Sequence, residues 1–166
     1  MPDTLQWHVR LASPDDASPI AAVLLAAFRD FESQYTPPGF RATTPTAEEI
    51  VGRLAEGPSW IALDDRQVVG TVSAVERADD IYLRSMAVLP SARGRGIATR
   101  LLETVEAFAV SRRARRLTLS TTPFLTDAIR LYEQAGFRRT PAPLDLYGTP
   151  LFGMVKELAV VRAQPQ

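Results

Sequence analysis

The residues of this chain that could do chemistry by type and spacing lie in Arg93-Gly94-Arg95-Gly96-Ile97-Ala98-Thr99. Glycines at 94 and 96 let the backbone turn tightly and let a ligand approach the main chain without meeting a Cβ atom. If a helix starts here, its first N–H groups have no intrahelical partner. They point outward at the positive end of the dipole, a site for a phosphate or pyrophosphate. Arg93, Arg95 and Arg100 add positive charge. The alternative is an ordinary strand-to-helix turn with solvated arginines. A nucleotide P-loop would need a Gly-Lys-Ser/Thr ending, and the single lysine is Lys156. A dinucleotide fingerprint would need a third small residue where Thr99 sits and an acid about twenty residues on. The stretch Leu117 to Thr121 carries no acid.

Two elements must position this turn. Ile81 to Leu89 is rich in strand-favouring residues and stops at Pro90, which cannot donate to a ladder. After the turn, Ile97, Leu101, Leu102, Val105, Phe108 and Ala109 recur at helical spacing as one apolar stripe. The motif therefore reads as strand, phosphate-binding turn, helix. A further strand, Leu117 to Ser120, follows a whole helix later, as a right-handed β-α-β crossover with parallel pairing requires.

Composition narrows the classes. A chain of 166 residues, 46% of them apolar, is expected to form one domain with a sizeable core. The 19 basic and 19 acidic side chains cancel, which argues against general nucleic-acid binding. There is no cysteine, so disulfides, thiolate zinc sites and cysteine nucleophiles are excluded. His8 is the only histidine, which leaves no histidine-based metal cluster or Ser-His-Asp arrangement. No apolar run approaches a membrane span and no leader pattern opens the chain, so a cytoplasmic protein is expected.

The remaining elements follow in order. Trp7 to Leu11 alternates as a first strand. Ser13-Pro14 or Ser18-Pro19 starts a helix with Ile20, Val23, Leu24, Ala27 and Phe28 on its buried face. The stretch from Gln34 to Thr44, with its prolines, glycine and aromatics, reads as a loop between helices. Thr46 and Glu49 form a capping-box pattern for a second helix that runs to Gly57 as its C-terminal cap. Ser59 to Leu63 and Gln67 to Glu76 form a hairpin that continues into the strand before the phosphate turn. The cluster Arg112-Arg113-Ala114-Arg115-Arg116 reads as a solvated helix end that complements the dipole, or as a contact for a ligand phosphate or an acidic partner. Thr122-Pro123 opens the last helix, capped by Gly136. Pro150 to Leu158 closes the sheet, and 159–166 is expected to fray.

The turn resembles the acyl-CoA-binding motif of the GNAT superfamily of N-acetyltransferases, Arg/Gln-x-x-Gly-x-Gly/Ala, through Arg93, Gly96 and Ala98. The run Ala128 to Phe137 resembles that family's A-x-x-x-Y-x-x-x-G-F signature. Where the family often has a cofactor-contacting asparagine, this chain has Leu125. The resemblance implies an α/β (α+β) fold: one GNAT-like domain over 1–166, with a mixed, mostly antiparallel sheet of six to seven strands splayed between the fourth and fifth and about four helices. It implies acetyl-CoA as co-substrate, with no metal. Main-chain groups of Met86, Ala87 and Val88 would pair with the pantetheine arm, Val88 N–H would polarise the thioester carbonyl, and Arg93, Gly94, Arg95, Gly96, Ile97, Ala98 and Thr99 would hold the pyrophosphate.

Transfer to an amine requires the amine neutral. A lysine-like amine, pKa about 10.4, is neutral in about one molecule in ~2500 at pH 7, a contribution of roughly 4 to 5 kcal/mol. By the resemblance Tyr132 is the acid for the leaving thiolate. For the base, Glu76 is the nearest carboxylate by topology, and a water relay is the alternative. Glu32, Tyr35, Phe40 and Tyr147 are weaker candidates for a substrate wall; for Tyr35 and Phe40 the alternative is that they pin a loop onto the core. With no cysteine for a covalent acyl-enzyme, direct attack in a ternary complex is the natural route. The expected partner is a small-molecule or peptide amine, with no nucleic acid and no membrane, and a homodimer by analogy with many relatives. The rivals are transfer to a hydroxyl or of a longer acyl group, and an acyl-CoA-binding sensor of the same fold without turnover.

Overall fold

The computed structural model describes residues 6–159, so the expected frayed tail lies outside the described residues beyond Ala159. The strands are β1 (Trp7–Leu11), β2 (Ser59–Asp64), β3 (Gln67–Arg77), β4 (Asp80–Val88), β5 (Arg116–Thr121), β6 (Arg138–Leu146) and β7 (Thr149–Glu157). The helices are α1 (Ala17–Phe28), α2 (Pro37–Thr43), α3 (Ala47–Leu54), α4 (Ile97–Ser111) and α5 (Thr126–Gln134). One mixed sheet runs in the order β1-β2-β3-β4-β5-β7-β6. Every neighbouring pair is antiparallel except β4–β5. That parallel pair joins only Asp80 to Arg116, Ile81 to Leu117 and Tyr82 to Thr118, after which the strands part. The sheet is thus splayed between its fourth and fifth strands.

Each face of the sheet carries its own core. On one, Ile20, Val23 and Leu24 of α1 and Ile50 of α3 pack on Ile61, Val68 and Ala87. On the other, Ile97, Leu101, Leu102 and Val105 of α4 and Tyr132 of α5 pack on Val72, Ile81, Leu83, Leu117 and Leu119. The apolar stripe of α4 is the reason it lies flat across the splay: Leu101 and Val105 are fully buried, each worth about 1.5–3 kcal/mol relative to exposure. At the start of α1, Ser13 caps a 3-10 turn, Pro14–Asp16, that runs directly into the helix. Arg10 and the Ser13 amide both donate to the Asp16 carboxylate, and the Arg10 bond holds its pKa below the usual range.

Three expectations are corrected. Residues 37–43 form α2, a fifth helix where a loop was expected: Thr36 Oγ1 accepts from Gly39 N–H and Pro37 fills the first helical position. The strand β6 was not expected, because Pro141 and Pro143 interrupt its run. It stands at the edge of the sheet, paired only with β7, where missing donors do no harm. Gly57 is not the cap of α3, which ends at Leu54 with Ala55 as its C-cap. A Cβ on Gly57 would stand 2.1 Å from the Ala74 carbonyl oxygen, so glycine is required there by close approach to β3. In the arginine cluster after α4, two of the exposed side chains are paired. Arg112 pairs with Glu76, Arg116 pairs with Asp80 at 2.9 Å, and Arg115 N–H donates to the Asp79 carbonyl, which fastens the α4–β5 connection to the β3–β4 hairpin.

Candidate active site

The turn after β4 is an open cradle of main-chain donors. Pro90–Ala92 forms a 3-10 turn and Arg93 leaves it in extended conformation. Gly94 and Gly96 both adopt left-handed conformations, φ 77° and 82°, and Gly96 is the N-cap of α4. A Cβ built on either would meet nothing within 4 Å, so the space over the turn is free. The first bond into α4 is Arg100 N–H to the Gly96 carbonyl, and among the described residues no amide from Gly94 to Thr99 donates to a protein acceptor. These unpartnered donors at a helix N-terminus suit a pyrophosphate. The arginines are partly engaged: Arg95 pairs with Asp64 at 2.7 Å, Arg93 reaches the Ala27 carbonyl at 3.5 Å, and Arg100 lies 3.9 Å from Glu103.

The cradle continues into the gap between β4 and β5. Leu89 N–H donates to the Val69 carbonyl, and Val88 stands opposite Gly70. In an antiparallel ladder this makes Val88–Gly70 a non-hydrogen-bonded pair, so Val88 N–H turns away from β3 and toward the gap. Met86 precedes it by two residues on the same edge, while Ala87, opposite Thr71, buries its side chain under α1. Below this the register slips. Between the pairs Thr71–Ala87 and Ser73–Arg84, β4 has one residue more than β3, and Ser85 has φ 57°. This β-bulge bends the strand at the mouth of the splay. Serine gave no sequence signal for it.

Tyr132, on α5, is 6% exposed and packs on Phe137 with ring centroids 5.8 Å apart. Burial, with a smaller contribution from the neighbouring Tyr82 hydroxyl, pushes its phenol well above the ordinary tyrosine range, so it stays protonated. Glu76 does not join it. It stands opposite Ile81, at the closed end of the β4–β5 pair, with its carboxylate bound by Arg112. Val88 lies seven residue steps along the strand from Ile81, roughly 23 Å of extended chain, so Glu76 cannot serve the gap as a base.

The wall residues divide. Tyr35 is buried and meets Phe124 edge-on at 4.8 Å and Phe40 at 5.9 Å, and Phe31 stacks on Phe124 at 6.1 Å. Phe124 lies three residues beyond the end of β5, so this cluster draws the segment after α1 to the open end of the splay. Sequence reasoning missed Phe31 and Phe124, which carry no motif. The Thr122 hydroxyl lies beside that of Tyr35, buried and without a well-formed hydrogen bond. Glu32 is exposed, and Tyr147 is 68% exposed at the β6–β7 turn. Leu125 is the N-cap of α5 and offers no side-chain bond there.

Residues 22–137 match the model of the acetyltransferase (GNAT) family. The chain belongs to that family. Its GNAT relatives include N-acetylaspartate synthetase of Danio rerio, 43% identical over 82 residues, 48% of this chain and 29% of that protein. A second is the probable N-acetyltransferase camello of Xenopus laevis, 37% identical over 84 residues, 49% of this chain and 38% of that one. The chain spans about a third of the length of these curated relatives. Among solved structures, the PaiA N-acetyltransferase of Thermoplasma acidophilum in complex with coenzyme A superposes with a TM-score of 0.79 over 92% of this chain and 99% of that one, at 15% identity. A ribosomal-protein-alanine N-acetyltransferase of Brucella melitensis gives 0.72 over 91% and 99%, at 23% identity. Both solved structures share the fold of this chain.

Proposed function

We propose that the chain is an N-acetyltransferase that takes its acetyl group from acetyl-CoA and delivers it to an amine by direct attack in a ternary complex. The observation that carries the reading is the continuity of donors along one path. Free amides from Gly94 to Thr99 surround two glycines with open space above them, and Val88 N–H faces the gap on the same edge. The printed names of relatives, an N-acetylaspartate synthetase and a probable N-acetyltransferase, support acetyl transfer to nitrogen, and a GNAT neighbour in complex with coenzyme A supports the co-substrate.

Acetyl-CoA supplies a thioester as the acyl donor. The amides of Gly94 to Thr99 hold the pyrophosphate, and Arg93 and Arg100 add charge at its edge. Met86 and Val88 pair with the pantetheine arm on the strand edge that β5 has left, and Val88 N–H donates toward the carbonyl oxygen, where negative charge develops. Tyr132 Oη donates a hydrogen bond to the leaving sulfur. Because burial raises its pKa, full proton transfer to a thiolate, whose acid has a pKa of about 8.5, runs uphill. Its part is to stabilise the sulfur by hydrogen bonding while solvent completes protonation. Proton removal from the amine falls to water in the open splay, since Glu76 is engaged with Arg112 at the far end of β4.

Thermal unfolding with saturating acetyl-CoA, CoA, ATP or NADH tests the first step. Ligand at a hundred times its dissociation constant adds about 2.7 kcal/mol, and a chain of this size gains roughly 2–4 °C per kcal/mol. A rise of several degrees with both CoA species, and little with ATP or NADH, is expected. No rise with either CoA species would remove the basis of the reading.

A further inference from the structure

Two guanidiniums converge on the bulge of β4 with too little negative charge to balance them. Arg84 immediately precedes Ser85. Its strand neighbour Leu83 belongs to the α4 core, so Arg84 turns to the opposite face, where Nη2 donates to Glu56 Oε2 at 2.7 Å. Its Nε is buried and has no hydrogen-bond partner. Arg53, in the last turn of α3, donates from Nη1 to Ser85 Oγ at 3.2 Å and has no carboxylate within 4 Å among the described residues. Burial and the charge of Arg84 both work against the Arg53 cation, and nearby acids offset this incompletely: Glu56 is taken by Arg84, and Glu49 by Arg41.

A half-buried cation without a counter-ion, beside a buried guanidinium nitrogen without an acceptor, is a costly arrangement for a folded chain to keep. A bound anion relieves both costs at once. The position matters as much as the charge, because Ser85 opens the strand edge that runs through Met86 to Val88. An anion held by Arg53 and Arg84 would lie next to the place where the proposed acyl transfer occurs.

We infer that Arg53 and Arg84, with the Ser85 hydroxyl, bind a carboxylate on the acceptor, so that the acceptor is an amine bearing a nearby carboxylate, of the free amino acid class. The inference rests on the N-acetyltransferase reading of the same site. Polyamines and other purely cationic acceptors are repelled by the pair, and a peptide amino terminus has no carboxylate at the required place.

The test is CoA thiol release with acetyl-CoA and three sets of acceptors: amino acids, the same amino acids as carboxamides, and diamines. Amino acids are expected to exceed their amides by ten-fold or more in kcat/KM. Arg53→Gln should raise KM for amino acids by roughly ten- to hundred-fold, the worth of one lost charge-assisted hydrogen bond, with an unchanged dissociation constant for CoA. Equal turnover of amides or diamines overturns the inference and leaves acetyl transfer standing, and the wild-type arms decide this even if the variant fails to fold. If no amine is acetylated, the catalytic reading falls, and calorimetric titration of succinate into the CoA-saturated protein decides the site separately. Saturable binding that Arg84→Met abolishes supports the carboxylate site; no binding overturns it.

Discussion

Tyr132 is the residue whose environment says most about its use. It is sealed against Phe137 and the α4 core, and the desolvation that keeps it protonated also makes it a poor source of a complete proton. Phenylalanine fits the same space, so Tyr132→Phe should fold normally and keep the thermal shift given by CoA while kcat falls by about ten-fold or more. The sign of the pH dependence follows from the raised pKa. The donor form persists above the ordinary tyrosine range near 10, so the wild type should show no loss of kcat from Tyr132 ionisation between about pH 7 and 10. An alkaline fall in kcat within that interval that disappears in Tyr132→Phe would contradict this assignment. Glu76 is set apart by its position. Its position opposite Ile81 and its bond to Arg112 give it a structural part in fastening the β3–β4 hairpin and no path to the gap.

At the scale of elements, the unit that carries the site is the β4 edge, the glycine turn and the start of α4. Gly96 sits at φ 82° with free space in the Cβ direction, so Gly96→Ala meets no clash and its cost is conformational, about 1 kcal/mol. The melting temperature should fall by roughly 2–4 °C. The added methyl also enters the space over the free amides, so the CoA-induced shift should shrink by more than that. A full CoA shift in Gly96→Ala would mean that the phosphate lies elsewhere. This unit was legible in the sequence because its signals are local: Pro90 ends a strand, two glycines turn, and an apolar stripe restarts at Ile97. Elements whose signals conflicted were not. The Thr36-Pro37 helix start was hidden by Pro38 and Gly39, and β6 was hidden by two prolines that only an edge strand tolerates. The bulge at Ser85 and the pairing of Arg53 with it depend on register and on tertiary approach, which no residue type announces. That is why the carboxylate nearest by topology, Glu76, stands at the strand end, and why nothing in the sequence marks the arginine pair.

At the scale of the whole molecule, a splayed sheet has a mechanical problem. The β1–β4 half and the β5–β7–β6 half share only three residue pairs directly, so other contacts must hold the halves at a fixed opening. On one face α4 spans them. On the other, the segment after α1 reaches across, where Phe31 stacks on Phe124 and Tyr35 meets it edge-on, and Thr36 joins the β6–β7 turn. Thr36 N–H donates to Thr149 Oγ1 at 2.9 Å, and Thr36 Oγ1 donates to the Tyr147 carbonyl at 2.8 Å. Thr149 is 1% exposed, so replacing its hydroxyl by a methyl leaves the part-buried Thr36 amide without its acceptor, a cost of about 1–3 kcal/mol. Thr149→Val should therefore lower the melting temperature by roughly 2–12 °C. Hydrogen exchange discriminates this clasp from a general loss of stability. Amides in 36–44 and 146–149 should exchange faster while those of β2 and β3 keep their protection, because the β1–β4 half retains its own core under α1 and α3. Uniform acceleration across the sheet would mean that the two halves open as one cooperative body and that the loop contact is only a passenger. Acceleration confined to the clasp would make it the element that sets the width of the gap in which the proposed transfer takes place. A variant that keeps CoA binding but widens this gap should then lose acceptor selectivity before it loses the co-substrate.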